Sequence, residues 1–153
     1  MVNRMLSRVA RFLKQLRDTY YVSRALTGIA KPLHLASSKI ALQLERKVRR
    51  NGVTIPLGNG KSLKIARDAG IWIASELFWH GIDGIESETS HVLRFFFERS
   101  QTFVDAGANY GLYSLLGGLW NPHLRIIAFE PVPLIFVGLC RNVELNGLQE
   151  RVA

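Results

Sequence analysis

Thr102-Phe-Val-Asp-Ala-Gly-Ala-Asn-Tyr-Gly-Leu-Tyr-Ser-Leu-Leu116 is the stretch on which the fold of this chain turns. A short apolar run, Phe103 and Val104, ends in Asp105, passes a turn holding Gly107 and Gly111, and continues into Leu112, Leu115 and Leu116 at helical spacing. The pattern is strand, tight turn, helix. Glycines in such a turn allow close backbone approach to a ligand, and the amides at the helix start face whatever sits there. The next apolar run, Arg125-Ile-Ile-Ala-Phe-Glu130, closes on an acid. Asp105 and Glu130 are therefore expected at the carboxyl ends of two adjacent parallel strands, the place where open α/β sheets bind ligands.

Outward from that stretch, the rhythm is strand (102 to 105), helix (111 to 119), strand (125 to 129) and helix (133 to 145). Pro133 fits a first helical turn and Asn146-Gly147 a C-terminal cap. Such alternation implies βαβ units with right-handed crossovers and a parallel sheet, and a third strand is expected to begin near Arg151. Before the sheet, Ser87 or Glu86 opens a helix expected to carry Val92, Leu93, Phe96 and Phe97 on its apolar side. Val53 to Leu57 and Leu63 to Ile65, joined through Gly58-Asn-Gly60, alternate like a β-hairpin, with Pro56 marking an edge strand. Ile71 to Trp79 is apolar and aromatic, and Gly81-Ile-Asp-Gly84 is a loop.

At 153 residues, 48% hydrophobic and 21% charged, the chain is long enough for one domain with a core and is neither disordered nor fibrous by composition. Its net charge of +8 is unevenly spread: residues 1 to 50 hold 12 Lys and Arg against 2 acids, and residues 51 to 153 hold 8 against 10. Within the basic third, Met5, Leu6, Val9, Phe12, Leu13, Leu16 and Tyr20 share one helical face with Arg and Lys around the other. This amphipathic run over residues 2 to 20 reads either as a helix packed on a domain with its basic face solvated, or as a peripheral contact with an anionic membrane surface. A second helical run from Leu33 to Val48 merges into Arg46, Lys47, Arg49 and Arg50. That cluster lacks interleaved aromatics or any nucleic-acid motif, so no nucleic-acid partner is expected.

The longest uncharged span, Ala106 to Leu124, holds five glycines or prolines, two asparagines and a histidine, which makes it a poor membrane-spanning segment. No continuous apolar core of a signal peptide is evident, and the single cysteine, Cys140, reads as buried packing in a reducing compartment; a cytoplasmic location is expected. His34, His80, His91 and His123 show no metal-ligand spacing with each other or with Cys140, so no metal is expected.

Phe103 to Leu116, followed by Ile127-Ala-Phe-Glu-Pro-Val-Pro133, Phe136 and Arg141-Asn-Val-Glu-Leu-Asn-Gly-Leu148, resembles the opening of the FkbM family of S-adenosylmethionine-dependent methyltransferases. The resemblance runs from about Glu86 to Ala153. It implies an α/β, Rossmann-like class I methyltransferase fold, here incomplete and preceded by a helical N-terminal region and a β-hairpin. The division is then 1–50 basic helical region, 51–85 hairpin and connecting segment, and 86–153 the N-terminal part of a methyltransferase domain. Carried over by position, Asp105, Gly107, Asn109, Tyr110 and Gly111 would form the first S-adenosylmethionine loop, and Glu130 would accept from the ribose hydroxyls. A carboxylate matches a vicinal diol.

The resemblance further implies an enzyme that methylates an oxygen of a small-molecule or saccharide acceptor. The family's later strands and acceptor pocket would lie beyond Ala153, so a truncated form with little activity by itself is expected; no catalytic base is nominated. A nicotinamide-dependent oxidoreductase is the nearest rival. Asn109 replaces the second glycine of the dinucleotide fingerprint, and Asp105 would oppose a pyrophosphate, both against that rival. The alternative from a different class is a noncatalytic membrane-surface or protein-interaction protein carrying a remnant Rossmann half.

Overall fold

Val53–Gly58 (β1) and Lys61–Ile65 (β2) pair antiparallel, with Val53 opposite Ile65 and Ile55 opposite Leu63, and with a bulge between Pro56 and Gly58. They belong to a computed structural model that describes residues 52 to 153 apart from 69, 83, 84 and 86. The amphipathic run of residues 2 to 20, the run from Leu33 to Val48 and the basic cluster after it lie outside the described residues. At the hairpin turn Asn59 (φ 51°) and Gly60 (φ 74°) both adopt the left-handed conformation, the two-residue geometry that matches the twist of the flanking strands. Period-two alternation places Val53, Ile55, Leu63 and Ile65 inward, all buried.

The apolar and aromatic run is a helix, α1 (Ile71–His80), packed against β1. It ends at Gly81 (φ 67°), whose amide donates to the Leu77 carbonyl at 2.9 Å. Ile73, Ala74 and Leu77 are its buried positions, whereas Trp72 is exposed. Helix α2 (Ser87–Phe97) follows, rotated relative to expectation. Ser90 and Phe97 are buried and Leu93 half-buried, but Val92 and Phe96 are both more than half exposed. The sequence offers apolar residues at Val92, Leu93, Phe95, Phe96 and Phe97, so composition alone leaves the inward face open. Phe97 decides it through edge contact with Phe103, ring centroids 4.8 Å apart.

Strands β3 (Thr102–Ala106) and β4 (Arg125–Phe129) pair in parallel, Thr102 opposite Arg125 through Ala106 opposite Phe129, with α3 (Leu112–Trp120) as the crossover. The expected third strand begins on the other edge of β4. The Ile126 amide donates to the Arg151 carbonyl at 2.8 Å, and the Ala153 amide donates to the Ile126 carbonyl at 2.9 Å. The architecture is therefore α/β. On the helix-covered side of the sheet Ile126 and Ala128 are buried, beside Asp105 and half-buried Phe103. On the other side Val104, Ile127 and Phe129 are exposed, although parallel sheets ordinarily bury both faces.

Helix α4 (Pro133–Leu145) starts with proline and ends as the sequence predicts. The Gly147 amide donates to the Glu144 carbonyl (3.0 Å) and the Leu148 amide to that of Val143 (3.0 Å), the paired hydrogen bonds of a left-handed glycine cap. Its inward residues are Gly138, Leu139, Asn142 and Val143. Cys140 is exposed, not buried: one position after Leu139 the helix has turned about 100° away from the core. Hairpin, α1, α3 and α4 share one apolar core that includes Ile55, Leu63, Leu77, Leu115 and Leu139. Among the described residues no helix is long and apolar enough to cross a membrane.

Candidate functional site

Beyond Ala106 the chain turns through Gly107 (φ 82°), Ala108, Asn109 (φ 52°), Tyr110 and Gly111 (φ 86°) into α3. The loop is tied to the adjacent strand: the Gly107 and Ala108 amides both donate to the Phe129 carbonyl, at 2.8 and 2.9 Å. Asn109 adopts the left-handed conformation that Asn tolerates better than most residues, and its Oδ1 accepts from the Tyr110 amide at 2.8 Å.

Glu130 sits one residue beyond β4. Its Oε2 accepts from the Asn109 amide and its Oε1 from the Val132 amide, each at 2.9 Å. A single carboxylate thus holds the loops that follow the two parallel strands, through charge-assisted hydrogen bonds stronger than neutral ones. Asp105 is buried, and its Oδ2 accepts from the Ser114 hydroxyl at 2.6 Å. Among the described residues no other group donates to this carboxylate.

A cavity of about 160 Å³ opens between the loop and α1, with Asp105, Gly107, Asn109 and Tyr113 on one side and Trp72, Ile73 and Ile85 on the other. Of the residues singled out from sequence, Asp105, Gly107 and Asn109 line this cavity. Glu130 joins them through the Asn109 amide without lining it. Tyr110 and Gly111 do other work. The Tyr110 ring stands against Gly70 (φ 90°), where a Cβ would come within 2.8 Å of the ring, and Gly111 packs beneath the loop on Leu139. The first turn of α3 has no side-chain cap, which leaves its amides to other acceptors.

Four residues to which the sequence analysis gave no part in the site complete the arrangement. Ser114 orients Asp105, and Trp72 supplies an aromatic wall. Asn142 is wholly buried; its Oδ1 accepts from the Ala66 amide at 2.8 Å and its Nδ2 donates to the Tyr110 carbonyl at 2.9 Å. One turn later, Asn146 accepts from the Lys64 amide (2.9 Å) and donates to the Lys64 carbonyl (2.7 Å). Two asparagines at i, i+4 on one helix were the available signal, since that spacing puts both on one face.

A stretch of 43 residues, 28% of this chain, is 51% identical to "Methyltransferase sdnD" of Sordaria araneosa, and it spans 17% of that protein. The similarity is thus to a methyltransferase, over a fraction of its length. No protein-family model matches the chain. No solved structure matches it either.

Proposed function

We propose that this chain carries the donor-binding part of an S-adenosylmethionine-dependent methyltransferase of the FkbM type, directed at an oxygen of a small-molecule or saccharide acceptor. The observation that carries the reading is the Glu130 carboxylate bound to the Asn109 amide, beside buried Asp105, at the carboxyl ends of two adjacent parallel strands. The 43-residue similarity to a methyltransferase supports it independently.

The donor set fits the proposed ligand. Among the described residues the cavity is lined by a carboxylate and by no Lys or Arg, an environment that favours a cation and opposes a pyrophosphate. S-adenosylmethionine, when bound, supplies a methyl group on a positive sulfur that an acceptor oxygen displaces in line. Asp105 provides the negative potential toward that charge. Each Glu130 oxygen accepts one backbone amide and retains acceptor capacity for a ribose diol. The uncapped first turn of α3 suits the amino-acid carboxylate.

Calorimetric titration of the purified chain with S-adenosylhomocysteine, alongside a thermal melt, tests the reading. Saturable binding that weakens at least about tenfold in Glu130→Ala is the expected outcome, as for the loss of charge-assisted hydrogen bonds. A cooperative melt without any binding would overturn it.

A further inference from the structure

Helix α4 carries apolar side chains on two sides. Gly138, Leu139 and Val143 face the core, whereas Leu134 is 85% and Val137 65% exposed, and Leu145 is exposed as well. With Arg141 these three stand at i, i+3, i+7 and i+11, which is a single stripe along the helix. No described element covers it.

Exposed apolar residues also occur on the outer sheet face and on α2, so exposure by itself selects nothing. The place where the chain enters the described fold does select. Gly52 lies against the turn after β2, since a Cβ there would come within 3.0 Å of the Arg67 amide. The residues on either side of Arg67 are both bound to α4: the Ala66 amide donates to Asn142 Oδ1 at 2.8 Å, and Asp68 pairs with Arg141 inside the stripe. The chain therefore arrives beside the outer side of α4.

Only residues 49 to 51 separate Gly52 from the run Leu33 to Val48. Four steps of extended chain span at most about 15 Å, so Val48 is confined to the neighbourhood of Arg141 and Asn142. The run of residues 2 to 20 is more than thirty residues away from Gly52 and is under no such constraint. At helical spacing Leu33, Ile40, Leu44 and Val48 share one side of the nearer run, and Leu35 and Leu42 fall on the opposite one. As a helix its 16 residues would measure about 24 Å, against about 20 Å for the 13 of α4. Charge agrees with this placement. Arg46, Lys47, Arg49 and Arg50 cluster at the end nearest the entry point, and Glu144 is exposed beside the stripe.

We infer that residues 33 to 48 form a helix whose Leu33, Ile40, Leu44 and Val48 side seats on the Leu134, Val137 and Leu145 stripe of α4, with the basic end beside Glu144. The basic segment is then an integral wall of the domain. It covers the outer side of the helix whose Asn142 and Asn146 hold the hairpin. The inference holds whether or not the cavity binds a methyl donor.

The test is maleimide labelling of the full chain carrying Val137→Cys in a Cys140→Ser background, with Val92→Cys in the same background as the reference for an exposed thiol on α2. The thiol at position 137 should label at least about tenfold more slowly than the one at position 92, because burial of even one leucine-sized side chain shifts a docking equilibrium by that factor. Ile40→Glu with Leu44→Glu should raise its rate toward the reference. Leu35→Glu with Leu42→Glu, the same charge on the other side of the run, should change it less than about twofold, as for surface substitutions. Equal rates at positions 137 and 92 with the run unaltered would sink the inference, and that comparison needs no variant of the run to fold. Indifference to Ile40→Glu with Leu44→Glu, or an equal response to both glutamate pairs, would also overturn it. Protection that deepens with protein concentration would assign the stripe to a second copy of the chain instead.

Discussion

The Nδ2 of Asn142, on the last helix, donates to the carbonyl of Tyr110 in the glycine loop at 2.9 Å, across 32 residues of sequence. The same side chain accepts from the Ala66 amide at the end of the hairpin. One buried amide group therefore sets the position of the loop against the element that leads into α1 and Trp72.

Replacing Asn142 by Leu should destabilise the chain by about 2–4 kcal/mol, because two backbone groups lose partners in a site that water does not reach. Asn142→Asp keeps the acceptor and loses the donor, so the loss should be smaller only if the Ala66 contact dominates. Urea unfolding monitored by circular dichroism measures both. A change below about 0.5 kcal/mol in Asn142→Leu, the range of ordinary surface substitutions, would contradict the clamp.

Gly70→Ala meets two obstacles, a φ of 90° and a Cβ position 2.8 Å from the Tyr110 ring. The backbone conformation alone costs about 1–3 kcal/mol. In a Tyr110→Ala background the contact vanishes and the conformation remains, so Gly70→Ala should cost less there than in wild type. A double-mutant cycle with no coupling between the positions would show that they do not press on each other.

Ser114→Ala removes the hydroxyl that donates to Asp105 at 2.6 Å and leaves the carboxylate buried without it. A loss of about 1.5–3 kcal/mol in thermal or chemical unfolding is expected, as for a hydrogen bond to a charged group. In Asp105→Asn the amide oxygen still accepts, so adding Ser114→Ala to that background should cost less. Equal costs in both backgrounds would argue that the hydroxyl does not act through the carboxylate.

The sheet face that no described element covers, with Val104 55% and Phe129 58% exposed, should make the purified chain bind a hydrophobic dye and self-associate. Val104→Thr with Phe129→Thr should reduce dye binding and light scattering while shifting stability by no more than about 0.5 kcal/mol for each exposed site. A monodisperse wild-type chain that leaves the dye dark would disprove this.

Much of the candidate site was legible in the sequence because its signals are local. Asp105, Gly107 and Asn109 stand in the order of a turn between a strand and a helix, and Glu130 closes the neighbouring strand. Their convergence at one end of the parallel pair follows from βαβ handedness. Trp72 was not legible, since α1 is apolar on most sides and its sequence carries little period to show which residue faces the loop. Ser114 and Asn142 were missed for another reason: small polar residues read as solvated helix positions until a buried partner is seen.

The order of strands and helices, the caps at Pro133 and Gly147 and the hairpin turn at Asn59-Gly60 were determined by the sequence alone, because backbone sterics and periodicity act within a few residues. The rotation of α2 about Phe97, the exposure of Cys140 and the two asparagines that hold the hairpin were decided only by tertiary structure. Each depends on which surface arrives through space, and a helix with apolar or amide side chains on several faces accepts more than one partner until that surface is in place.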